Sequence, residues 1–192
     1  MVRFPLPGFG LLIALLLVAG RSWGQAVPEP LAHVLRHYQP LPRADAGVSV
    51  ALGKRGTVLL PPQATQQRTG TKDSDRGEIH FDHLLIGYDI GRMAGTHLSP
   101  YNRGGDRFLG GNPVPFSAYE ERTAGPLRAT LGLRPNRSGT GTEVVATLQN
   151  PGPPLTDAAG SFPANFWAVV QTEAELQQFL AVALSYRPAA KP

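Results

Sequence analysis

"LRATLGLRPNRSGTGTEVVATLQN", residues 127–150, carries the reading that decides the fold class. Leu127, Ala129, Leu131 and Leu133 alternate with Arg128, Thr130, Gly132 and Arg134. A strand with that period turns one face to a core and the other to water. Val144, Ala146 and Leu148 repeat the pattern after a connector of residues that accept turn geometry. The two segments therefore read as an antiparallel hairpin, ended by Pro151, which has no amide for a ladder.

Toward the C-terminus, "FWAVVQ" (166–171) reads as a short apolar strand that places Phe166 and Trp167 in the core. It runs into "TEAELQQFLAVALSYR", where Thr172 and Glu175 have the spacing of a capping box. Leu176, Phe179, Leu180, Ala183 and Leu184 then fall on one side, predicting an amphipathic helix over 173–186 and a frayed tail at 188–192.

Toward the N-terminus, "GVSVALGKRGTVLL" predicts a hairpin that turns at residues 53–56. Residues 63–76 hold no apolar side chain larger than alanine and read as a long exposed loop. Residues 25–46 form a Pro-rich lead with one or two helical turns at 31–38, stopped by Pro40 and Pro42. The 22 glycines and 19 prolines demand many turns, consistent with short strands. The expected frame is α+β: mainly antiparallel β, as a sandwich or open sheet, in one domain over 47–187 with one C-terminal amphipathic helix.

The first 24 residues have the form of a secretory signal: Arg3, an apolar run over 9–19, and small residues at 24–26 where cleavage would fall. That run is short of the roughly 18–20 residues that cross a bilayer, and no later segment reaches that length. Loss of Arg3 and Arg21 takes the 18 basic residues to 16 against 14 acidic ones. A pI near 9.8 thus overstates the mature charge, and the basic residues form no tract, which argues against nucleic acid. With no cysteine, the chain must hold together by its core, which roughly 165 residues can supply. Disulfide-free export suggests a bacterial periplasmic or secreted protein.

"GEIHFDHLLIGYDIGRMAG" (77–95) concentrates His80, Asp82, His83 and Asp89. Read as one strand, it places His80 and Asp82 with Leu84, Ile86, Tyr88 and Ile90, and His83 and Asp89 with Phe81 and Leu85. His80 and Asp82, joined by His97, are the candidate metal ligands, for imidazole and carboxylate suit a divalent metal where thiolate is absent. In the plainer alternative His83 bonds a carbonyl in the core and Asp82 caps a turn. His33 and His37 would share a helix face, although Val34 stands where a His-Glu-x-x-His motif has its general base.

No Gly-x-Ser-x-Gly elbow or cysteine nucleophile is present, and the glycine clusters do not follow a strand into a helix as phosphate loops do. The segment 95–124 reads as a long connection that could recognise a sugar or peptide through Tyr101, Asn102, Arg103, Asp106, Arg107 and Tyr119. The expected function is a noncatalytic exported module without a cofactor, binding an envelope glycan, a peptide or a protein partner. The alternative is a metal-binding protein or metal-dependent enzyme built around residues 80–97.

Overall fold

The computed structural model describes residues 26–40, 47–70, 73–91, 115–136, 139–151 and 163–189. Ten strands and two helices follow in the order α1 (Glu29–His37), β1 (Val48–Ala51), β2 (Gly56–Leu60), β3 (Thr65–Arg68), β4 (Ser74–Phe81), β5 (Leu84–Gly91), β6 (Ala118–Ala124), β7 (Leu127–Pro135), β8 (Thr142–Gln149), β9 (Ala164–Val170), α2 (Glu173–Leu184) and β10 (Arg187–Pro188). Seven strands form one antiparallel sheet in the order β3-β4-β5-β9-β8-β7-β6, and β1-β2-β10 form a second. The architecture is α+β, with antiparallel sheets and a C-terminal helix.

The register explains which face holds the core. Ile79 pairs with Ile86, Tyr88 with Phe166, Phe166 with Ala146, and Ala146 with Leu131. That row crosses five strands with buried apolar side chains. Both helices close over it: Leu176, Phe179 and Leu180 of α2 and Leu31, Val34 and Leu35 of α1 belong to the same core. The capping box of α2 forms, Thr172 Oγ1 accepting from the Glu175 amide and Glu175 Oε2 from the Thr172 amide, each at 3.2 Å. The helix ends at Leu184, two residues earlier than its periodicity suggests, because Arg187 and Pro188 pair with β2.

Three sequence expectations need correction. Residues 63–76 are not a loop throughout: β3 pairs with β4 at the sheet edge, and β4 begins at Ser74. An edge strand is held by backbone bonds to one neighbour, so polar Thr65, Gln66, Gln67 and Arg68 suffice. For the same reason residues 118–124, expected to be part of a long connection, form the opposite edge strand β6.

The segment 77–91 is two strands rather than one. Asp82 and His83 form the turn between β4 and β5, and Asp82 takes a φ of 50°, which aspartate accepts better than most residues. Phe81 therefore pairs with Leu84, and the parity of the core face changes from odd to even across the turn.

The smaller sheet is tied to the larger through Asp75 and Tyr186. Tyr186, at 2 % exposure, donates its hydroxyl to the Arg55 carbonyl at 3.1 Å and sets its ring 5.9 Å from that of Phe166 in β9. Burial pushes its pKa well above the ordinary 10; the Asp75 charge adds to this and Arg55 opposes it. Burial likewise raises Tyr88, against a hydrogen bond from Gln66, and Tyr38, against the charge of Arg122. The unfolded chain ionises its tyrosines near pH 10 while the native state keeps these protons. Native stability is thus complete below pH 10 and falls as pH rises above it, by about 1.4 kcal/mol per pH unit for Tyr186 alone. Urea midpoints at pH 9 and pH 11 should show this loss, and Tyr186→Phe should make it visibly smaller; equal losses in the two proteins would refute the assignment.

Candidate binding site

Two surfaces flank the core. The face of the large sheet turned away from the helices carries the residues that the sequence brings forward. Arg76 donates through Nε to Asp89 Oδ2 at 3.1 Å, and Asp89 pairs in register with Asn165. Thr147 in turn donates to Asn165 Oδ1 at 2.7 Å. Asp89, Asn165, Thr147 and Thr130 are all buried, and Asp89 Oδ1 and Thr130 Oγ1 have no hydrogen-bond partner among the described residues.

Beside this polar row, Trp167 lies flat over Gly87; a Cβ at Gly87 would sit 2.4 Å from its ring. Trp167 is half-buried on this face, and only Phe166 enters the core as expected. Leu85 and Val169 are exposed on this same side.

His80 lies there as well, across from Leu85, with Nε2 3.2 Å from Glu78 Oε2. Its pairing with Asp82 on a single strand face does not occur, since Asp82 is in the turn. His83 is exposed in that turn, which sets aside a core hydrogen bond for it. The proposed ligand His97 lies outside the described residues. Among those described, no group of three or more His, Cys, Asp or Glu side chains gathers. Tyr119 is on β6 and donates to Glu121 Oε1 at 3.2 Å, while Tyr101, Asn102, Arg103, Asp106 and Arg107 fall outside the described residues.

The helix side holds an open groove of about 840 Å³ between α1, α2 and the end of β2. Its floor is apolar, formed by Val34, Leu59 and Val182, all buried. Its walls carry Gln39, Gln63, Gln177 and Gln178 together with His33, His37 and Tyr38. Among the described residues Glu173 is the one carboxylate that lines it.

Local chemistry holds each wall. The Leu59 amide donates to Ser185 Oγ at 2.8 Å, and that hydroxyl donates to the Val182 carbonyl at 2.6 Å, which fixes β2 to the end of α2. Pro28 and Pro30 fix the start of α1, and the Arg122 guanidinium of β6 donates to the carbonyls of Leu35 and Tyr38 at its end. Cations favour that end of a helix. Of the groove residues, the sequence reading picked out His33 and His37 alone. Gln177 and Gln178 give only a faint signal, as the polar side of an amphipathic helix, and Gln39 and Gln63 give none.

Compared with protein-family models, with curated proteins and with solved structures, the chain finds no match.

Proposed function

We propose that this chain is an exported, noncatalytic binding module that holds an extended peptide segment of a partner protein in the groove between α1 and α2. The observation that carries the reading is the groove itself: about 840 Å³, apolar at its base and walled by four glutamines. Ligand clefts usually enclose about 300–1,000 Å³ and combine such a base with a few polar groups. Each glutamine amide both donates and accepts, the pairing that the N–H and C=O groups of an extended backbone require. A peptide suits this lining better than a glycan, because among the described residues Tyr38 is the one phenol and no indole or phenyl ring adds a stacking surface.

The absence of catalysis in this reading rests on the same lining. Among the described residues it contains no Ser, Thr, Cys, Lys or Asp, and one glutamate alone cannot form the acid pair of a glycosidase. Export rests on the signal-like residues 1–24; among the described residues no helix is long and apolar enough to cross a membrane. An envelope or extracellular protein with an exposed extended segment is the fitting partner.

The test is to pan a random dodecapeptide library against the purified protein and to measure the selected peptides by isothermal titration. Ala181 lines the groove on α2 and is half-buried, so Ala181→Trp should fill it and weaken binding by about tenfold or more, a loss of about 1.4 kcal/mol. Tyr119→Ala, on the sheet edge, should leave binding unchanged. A library that yields no binder, or binders indifferent to Ala181→Trp, would remove the proposal.

A further inference from the structure

The pair His33 and His37 is not required to hold a peptide backbone, yet its geometry is specific. Both residues are exposed on α1 and line the groove, with ring centroids 4.2 Å apart and planes inclined by 27°. His37 Nδ1 lies 3.0 Å from the His33 carbonyl oxygen. A carbonyl can only accept, so in the neutral ring Nδ1 is the nitrogen that donates and Nε2 of His37 the one that presents a lone pair. A backbone carbonyl on the other ring nitrogen is what commonly fixes the tautomer of a metal-binding histidine.

The spacing fits one ion. Two nitrogens that occupy neighbouring corners of a tetragonal ion, with bonds of about 2.0 Å, lie about 2.8 Å apart. The rings stand one helical turn apart, and side-chain rotation out of the stack turns their in-plane lone pairs toward a common point without a change of backbone.

We infer that His33 and His37 form a two-imidazole site for a borderline divalent transition metal, with Cu²⁺ bound most tightly. The order of affinity follows from nitrogen donors alone, on which Cu²⁺ exceeds Ni²⁺ and Zn²⁺. Two coordination positions are filled by the helix and the rest face the groove, where water or a donor from a bound segment completes the shell. Glu173 lines the same groove and adds favourable negative charge. The Arg122 guanidinium at the helix end and Arg36, paired with Glu29, oppose it. The metal site does not depend on the groove holding a peptide, since both imidazoles are accessible from solvent.

The test is titration of the purified protein with Cu²⁺, followed by calorimetry and by electron paramagnetic resonance. One ion should bind per chain, with the hyperfine signature of two imidazole nitrogens. His33→Gln and His37→Gln should each weaken it by about tenfold or more, and His80→Gln, which removes the other described histidine with a carboxylate neighbour, should not. Acidification should release the ion, because protons compete for the same lone pairs. Circular dichroism checks that each variant keeps its helix content. No stoichiometric binding, binding unaltered in His33→Gln and His37→Gln, or binding lost in His80→Gln would each overturn the assignment.

Discussion

Arg122→Ala should destabilise the protein by about 3 kcal/mol and release α1 from the sheet. The Arg122 side chain spans from β6 to the carbonyls of Leu35 and Tyr38 and is half-buried there. Hydrogen bonds to a charged donor contribute about 1.5–3 kcal/mol each, and partial exposure keeps the pair at the lower end. α1 has nine residues, and a helix this short is marginal in water unless its apolar side is docked. For a chain of this size the loss corresponds to a fall of about 6–12 °C in Tm. Hydrogen exchange should accelerate at the α1 amides before it does in β7 or β8. Arg122→Lys should restore only part of the loss, since one ammonium cannot serve both carbonyls in a fixed fork. Unchanged protection of α1 together with an unchanged Tm would refute this account of how the groove is held.

Asp75→Ala should cost a similar amount, about 3 kcal/mol, by detaching the β1–β2 turn from β4. Asp75 is buried, accepts from the Lys54 amide at 2.9 Å and from Arg68 at 3.1 Å, and has Arg55 Nε 3.8 Å away. Arg68 and Arg55 keep some solvent access, and Arg55 also donates to the Asp73 carbonyl at 3.1 Å, so the penalty for losing the carboxylate stays below that of a fully buried pair. The turn is shaped for this carboxylate: Gly53 has a φ of +70°, and a Cβ there would sit 2.0 Å from Asp75 Oδ1. Gly53→Ala should therefore destabilise as well, through backbone strain and displacement of Asp75. Asp75→Asn keeps the shape and the bond from Lys54 but loses the charge, so its urea midpoint should fall between those of wild type and Asp75→Ala. A midpoint for Asp75→Ala equal to wild type would contradict the clamp.

The parts of the fold that were legible in the sequence are those in which burial writes a period. Leu127, Ala129, Leu131 and Leu133 face the core as alternation requires, although Thr130 and Arg134, expected in solvent, are buried on the other face, and Leu176, Phe179 and Leu180 face the core at helical spacing. Edge strands write no period, and β3 and β6 went unread because Gln66, Gln67, Glu120 and Glu121 contribute backbone bonds and little apolar surface. The phase of 77–91 was lost for another reason. Asp82-His83 is a two-residue turn without glycine, proline or asparagine, so period two ran through it and put His80 on the wrong face. The groove is assembled from residues near 33, 59 and 177, three segments that no single window contains. Only the His33–His37 spacing hinted at it, and that hint concerned a metal rather than a cleft.

Mapping backbone amide shifts of the isotopically labelled protein with a library-selected peptide tests the central claim most directly. If the groove is the binding site, the largest changes fall at His33, Leu59, Ala174, Gln178 and Ala181. Changes gathered instead at His80, Trp167, Val169 and Tyr119, on the far face of the sheet, would contradict it.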